Sequence, residues 1–323
     1  MIKHITLSAV LTISFALTGC IQQAEEHPIK QAIPHAEDVR IKLPDNGGAA
    51  SSAWALGQVA DYYHMTRDIS RSLNGGAAWV LIIVHAIVQY PPTTVDGDTY
   101  TWGPWGNALD PADYRLVVTD KLDGSYDWAL EGDSRLDSEE TFEVVISGNA
   151  VPGDTPHRGA GNFLIDFDAG KRVNPIDADD NNKGTVEITY DLENRDNTPA
   201  TLGMNINSRQ LDAAGNEVPV AFNYNYAENL NGSGDLVFAI HGDLDDDGSA
   251  FEDAVIRSRW TNTGDGRADI RVQGGDLADL TVTASECWNS MFRRVYYSDS
   301  QEWQPTEGDQ ADCAFADQDL PAE

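Results

Sequence analysis

Positive charge is scarce in this chain. Its 323 residues hold 21 Lys and Arg against 53 Asp and Glu, for a formal net charge of −32 at pH 7. Phosphate backbones and anionic headgroups are bound through clustered Lys and Arg, so a surface this acidic repels them and nucleic acid is not expected as a partner. The charge fits solubility, as in a saline habitat, or divalent-cation binding. Long apolar runs are also missing. The two longest, 5–17 and 77–88, have 13 and 12 residues. At ~1.5 Å per residue a helix of that length spans about 20 Å, short of the roughly 30 Å hydrocarbon core of a bilayer. Cysteine is nearly absent, with only Cys20, Cys287 and Cys313. Common hydrolase and nucleotide-binding templates are absent as well: there is no Gly-x-Ser-x-Gly, no His-Glu-x-x-His and no Gly-Lys-Ser/Thr. Carboxylates are so numerous that a glycosidase-like pair cannot be argued from spacing. No catalytic residue is assigned.

What is present begins at the first residues. A short head carrying Lys3, the apolar run 5–17 and small residues before a cysteine have the order of a secretory signal. Its ending, Leu17-Thr18-Gly19-Cys20, resembles the lipobox of bacterial lipoproteins. The resemblance covers residues 1–20. It implies cleavage between Gly19 and Cys20, with the Cys20 thiol carrying a diacylglyceryl group and an acyl chain such as palmitate on the new N-terminus. Burial contributes ~0.8 kcal/mol per CH₂ and a single chain is marginal, so three chains would hold firmly. Enteric lipoproteins kept at the inner membrane have Asp after the cysteine; Ile21 here points to the outer membrane, on either face. An ordinary signal peptide with a chance cysteine is the alternative. Once Cys20 is lipidated, Cys287 and Cys313 remain as an even pair. In an oxidising envelope a disulfide is their expected state, closing a loop worth on the order of 3 kcal/mol. Two free buried thiols are the other reading.

The expected organisation is a signal peptide over 1–19, a lipidated flexible tether over 20–50, a single globular domain over 51–315 and a frayed tail over 316–323. The tether mixes charges with Pro28, Pro34 and Pro44, although part of Val39–Leu43 could be a first strand. Ser51 or Ser52 would cap a helix with Ala55, Val59, Tyr62, Met65, Ile69 and Leu73 as its apolar stripe, and Gly75-Gly76 would break or bend it. The run 77–88, apolar all round and stopped by Pro91-Pro92, wants burial on every side. It predicts a concave β surface that wraps it, or a lid closed against one, with His85 as a hydrogen-bonded core histidine.

From Thr99 to Tyr297, alternating segments recur with Gly, Asp, Asn or Pro between them. Val186, Ile188, Tyr190 and Leu192 fall on one face, and Glu187, Thr189 and Asp191 on the other, as in an antiparallel sheet wet on one side. Eleven segments stand out: 114–118, 126–130, 142–146, 163–167, 186–192, 202–206, 220–226, 236–240, 255–260, 268–272 and 280–284. Eleven or twelve strands are too many for a flat open sheet. The expected class is mainly β or α+β: a large curved antiparallel sheet, half-barrel or barrel-like, packed on an N-terminal helical segment. By analogy such a half-barrel is similar to the periplasmic lipoprotein carriers and their lipid-binding relatives. A sandwich is the alternative.

Among candidate sites, Asp243-Leu244-Asp245-Asp246-Asp247-Gly248 resembles the start of an EF-hand loop, since Ca²⁺ takes 6–8 oxygens and alternating Asp with a sixth-position Gly can supply them. It departs from that family at the twelfth position, Ala254, where a Glu is expected; Glu252 and Asp253 could supply the missing oxygens. The candidate Ca²⁺ ligands are Asp243, Asp245, Asp247 and Asp253, against a solvated acidic turn. Asp177, Asp179 and Asn181 repeat the pattern more weakly. Trp102, Trp105, Trp128, Trp260, Trp288 and Trp303 suit core packing, sugar stacking or an apolar pocket. Arg293-Arg294 is a basic spot that should pair with carboxylates. The stretch from Trp260 to Cys313 resembles the ending of uncharacterised acidic bacterial lipoproteins, which implies no activity. Two functions follow as expectations. The first is a non-enzymatic, membrane-anchored envelope protein binding a lipid or other apolar ligand in its curved sheet; the second is a calcium-stiffened structural or surface-interaction lipoprotein with a filled core. An enzyme of unrecognised type is third.

Overall fold

The structure is a computed structural model and describes residues 33, 36–43, 57–137, 141–155, 158–176, 183–193, 196–211, 215–244 and 250–321. Among the described residues a long helix, α1 (Asp61–Val88), comes first. Strands β1 (Thr94–Asp96), β2 (Thr99–Trp105), β3 (Ala112–Asp120), β4 (Tyr126–Ser134), β5 (Glu143–Pro152) and β6 (Gly159–Asp166) follow, then a short helix α2 (Phe167–Val173). The chain continues through β7 (Thr185–Asp191), β8 (Ala200–Leu211), β9 (Glu217–Glu228), β10 (Gly234–Gly242), β11 (Glu252–Trp260), β12 (Gly266–Gly274), β13 (Val282–Trp288), β14 (Arg294–Asp299) and β15 (Glu307–Gly308). All fifteen form one open antiparallel meander in which every strand pairs with its sequence neighbours. Its two edges are very short strands of three and two residues, which limits edge-to-edge pairing with other chains.

Each of the eleven expected segments overlaps one strand, β3 to β13, with Phe142, Phe167, Leu192, Leu280 and Thr281 falling outside. The sheet gains four strands that the pattern did not reveal. β2 carries Gly103-Pro104 in its middle, and β1 and β15 are too short to show a period. α2 was also unexpected, although Asp166 accepts from Ala169 N at 2.9 Å as its cap and Lys171 and Arg172 sit in its last turn.

The sheet curves around α1. Its concave residues Trp102, Leu116, Trp128, Phe163, Ile188, Tyr224, Leu236 and Trp260 form one core with Val80, Leu81, Val84 and Val88 of the helix. Register shifts in β2–β3, β4–β5 and β13–β14 bend it. Glycines make room for the large rings. Gly234, Trp260, Gly266 and Trp288 lie in register across β10 to β13, and a Cβ on Gly234 or Gly266 would enter the ring of Trp260 or Trp288 respectively.

Helix α1 differs from the expected two-helix arrangement. It runs through Gly75-Gly76 without a break. Two interior glycines cost about 1 kcal/mol each relative to alanine, whereas full burial of Val80, Leu81, Val84 and Val88 contributes ~1.5–3 kcal/mol per side chain. Burial wins, and the helix is continuous. It starts at Asp61 after an extended Ala60 that provides no side-chain cap; Ser51 and Ser52 lie outside the described residues. The expected stripe is also offset, because Met65 is 38% exposed while Thr66 and Ser70 are buried. The inward face is set by Tyr63, stacked on Phe292 with centroids 4.2 Å apart. The hydroxyls buried with it donate to Tyr62 O and Thr66 O, both at 2.7 Å.

Part of the expected tether is docked. Ile33, Val39 and Ile41 are buried in the main core, and Asn74 holds Ile41 through both backbone groups, at 2.8 and 3.0 Å. Residues 39–43 are not a strand. No described helix is long and apolar enough to cross a membrane.

Candidate functional site

Because α1 fills the concave face, polar chemistry collects at the helix start and on the outer face. At the helix start, Glu286 of β13 faces inward, fully buried, and its carboxylate accepts from the backbone N–H groups of Asp61 and Tyr62. This is the N-terminal cap that Ala60 lacks, supplied by tertiary structure at the positive end of the helix dipole. Arg294 on β14 donates to Glu286 and, at 2.8 Å, to Asp61 Oδ2. The expected pairing of this basic spot with carboxylates is met at Arg294. Arg293 instead donates to Gly57 O at 2.6 Å.

On the outer face, the segment after β15 is strapped down, where a frayed tail was expected from residue 316. Cys313 is joined to Cys287 of β13 in the expected disulfide. Beyond it, arginines from β11 and β12 donate to successive backbone carbonyls. Arg267 reaches Phe315 O and Ala316 O (3.2 and 2.8 Å), Arg259 reaches Asp317 O (2.7 Å), Arg257 reaches Asp319 O (3.2 Å) and Arg271 reaches Pro321 O (3.1 Å). Outward-facing Arg at 257, 259, 267 and 271, on neighbouring strands with period 2, was the signal in the sequence. Arg267 and Asp269 are buried beneath the strap and bonded at 2.8 Å.

Between the strap and β14 lies a cleft of about 300 Å³. Thr283 and Ser285 of β13 and Tyr296 and Ser298 of β14 form its floor and one wall, Gln310 and Gln318 of the strap the other, with Asp299 and Ser300 at its rim. Asp299 organises that rim by accepting from the backbone N–H groups of Gln301, Trp303 and Gln304 at 2.9, 3.0 and 3.1 Å, and from the Tyr297 hydroxyl at 3.2 Å. Burial alone would raise its carboxyl, but these donors outweigh it and hold the group below the usual carboxylate range.

A smaller outer hollow of about 160 Å³ contains His241 and Asp253, bonded Nδ1 to Oδ1 at 2.8 Å, over Ala221, Ala239 and Val255. The floor offers His241 no hydroxyl or thiol to activate.

The expected site residues are dispersed. Gly19, Cys20, Asp177, Asp179, Asn181, Asp245 and Asp247 lie outside the described residues, as does the His85 side chain. Of the candidate Ca²⁺ ligands, Asp253 is engaged with His241 and Asp243 lies just past the end of β10. Glu252 accepts from Leu244 N and Asp276 N at 3.0 and 3.1 Å. Among the described residues no group of three or more His, Cys, Asp or Glu is arranged to hold a metal. Trp102, Trp128, Trp260 and Trp288 are core residues, while Trp105 and Trp303 are 36% and 68% exposed. Sequence reasoning missed the strap and the cleft, since both depend on residues that meet only once the meander is formed. Comparison with family models, curated proteins and solved structures gave no match to this chain.

Proposed function

We propose that this chain is a lipid-anchored protein of the bacterial envelope, held at the outer membrane through Cys20, that acts without catalysis by presenting the outer face of its sheet to a partner. The observation that carries this reading is the filling of the concave face: Val80, Leu81, Val84 and Val88 of α1 are each at 0% exposure within the sheet's core. An acyl chain on that face would have to displace side chains whose burial contributes ~1.5–3 kcal/mol each. A surface role is therefore favoured over carriage. The anchor itself rests on the lipobox residues Leu17, Gly19 and Cys20.

Two measurements test the proposal. Labelled palmitate should enter the wild-type chain and not Cys20→Ser; equal labelling of both would remove the anchor. Native mass spectrometry of the protein extracted from membranes should show no lipid beyond the covalent one. A stoichiometric co-purified lipid would overturn the surface reading in favour of carriage.

A further inference from the structure

We propose that the cleft between β13, β14 and the C-terminal strap binds a neutral saccharide. This deepens the reading of the outer face as the interaction surface by naming a ligand class, and it does not depend on the lipid anchor.

The size is suitable. About 300 Å³ lies at the lower end of the range for small-molecule sites, room for roughly one or two sugar rings.

The hydrogen-bonding inventory selects the chemistry. Tyr296 donates to Ser298 Oγ at 2.9 Å, which leaves the Ser298 O–H to donate into the cleft. Ser300 Oγ accepts from Thr283 N at 3.0 Å and likewise keeps its proton to offer. On the opposite wall, Gln310 commits its amide nitrogen to Ala316 O, and Gln318 commits its own to Ser285 Oγ at 3.5 Å. Their amide oxygens remain as acceptors, and each amide nitrogen keeps a second N–H to donate. Donors and acceptors are therefore mixed around the cleft, which suits vicinal hydroxyls that each donate and accept.

Other ligand classes fit less well. An anion would meet a chain of net charge −32, and the nearby cation, Arg267, is engaged with Asp269, Ser285 and two strap carbonyls. A metal ion would need several converging carboxylates, and Asp299 already receives four donors. An apolar ligand would bury these groups without partners, at roughly 1–3 kcal/mol per group.

Two further features support a built site. The Cys287–Cys313 bond fixes the strap between Gln310 and Gln318, so the two walls are held in place before binding, which lowers the ordering cost. Trp303, 68% exposed, lies outside the cleft lining but in the loop that Asp299 holds, where its ring can stack on a sugar that extends past the rim.

The test is a titration of the full-length chain in a detergent without a sugar headgroup, with maltotriose, chitotriose and glucuronate as probes, followed by calorimetry and saturation-transfer NMR. At least one neutral trisaccharide should bind with a millimolar or tighter dissociation constant, and glucuronate should bind at least tenfold more weakly. Ser298→Ala with Gln318→Ala should weaken that binding tenfold or more, and Trp303→Ala should weaken it separately, with melting temperatures unchanged. No signal from either neutral probe at about 20 mM, undiminished binding by the double variant, or a preference for glucuronate would each overturn the proposal. Palmitate labelling would be untouched by any of these results, so failure here is separable from failure of the anchor.

Discussion

Glu286 accepts a hydrogen bond from the backbone of Asp61 at 3.2 Å, although the two lie 225 residues apart in sequence. The helix is thus capped by nearly the last long strand of the sheet that encloses it. Arg294, 2% exposed, closes the arrangement by bonding to both residues. The start of α1 and the end of the meander are thus joined directly.

Arg294→Met should therefore be strongly destabilising. Removing one partner of a buried pair leaves the other charge uncompensated, at about 3–5 kcal/mol, and here it would also loosen the cap on α1. Glu286→Gln turns one of the two accepting oxygens into a donor that faces donors, but it leaves Arg294 paired with Asp61 and should cost less. Denaturant unfolding of the two variants measures the difference; an Arg294→Met midpoint equal to wild type would show that the network contributes nothing.

The glycines beneath tryptophan rings give a second test. Gly266→Ala puts a methyl group into the space of the Trp288 ring, whose Nε1 is fixed to Gly264 O at 3.0 Å. Overpacking of this kind costs typically 1–3 kcal/mol. Gly215→Ala, where a Cβ meets nothing within 4 Å but φ is +83°, isolates backbone strain as a control of about 1 kcal/mol. Thermal melts of both should place Gly266→Ala lower.

Much of the sheet was legible because strands of alternating burial have a local signature. Ile188 and Tyr190 point inward and Glu187, Thr189 and Asp191 outward in the order the residues alone suggest. What escaped were features decided by distant partners. The helix crosses Gly75-Gly76 because the sheet buries its second half. Its inward face carries Thr66 and Ser70 because Ser258 lies opposite, 2.5 Å from the Thr66 hydroxyl. Ile33 and Ile41 read as part of a tether until Asn74 supplied their segment with partners. The cleft combines residues from β13, β14 and a strap, and no window of sequence contains all three.

The strap should depend on its arginines and on the disulfide in different ways. Arg267→Ala leaves Asp269 buried without its closest cation and should destabilise by about 3 kcal/mol or more. Cys313→Ser removes the 26-residue loop constraint, worth about 3–4 kcal/mol in the chain-entropy model. Arg257→Ala, at a more exposed pair, should free the strap at little cost to the sheet. Limited proteolysis between Phe315 and Pro321 reads strap release directly. It should accelerate in Arg257→Ala while the melting temperature stays within a few degrees; unchanged cleavage would mean that the arginine contacts do not hold the segment.

Acid should open the cleft rim before it unfolds the sheet. Asp299 titrates below the ordinary carboxylate value of 3.8 because the backbone donors of Gln301, Trp303 and Gln304, with the Tyr297 hydroxyl, favour its ionised form over the effect of burial. Its folded pKa is depressed relative to the unfolded chain, so its contribution is complete above the unfolded value and is lost as pH falls through the folded one. The three amide protons that it accepts should lose protection, relative to the intrinsic exchange rate at each pH, as pH falls through that depressed value, while amides of β7, far from this carboxylate, stay protected. In Asp299→Asn the rim should already be loosened at neutral pH, since the neutral amide is a weaker acceptor, and lowering the pH should change its exchange little. Protection factors from hydrogen exchange, followed from pH 7 to well below the ordinary carboxylate range on both proteins, decide the matter: parallel acid responses at Gln301, Trp303 and Gln304 would show that another group controls the rim.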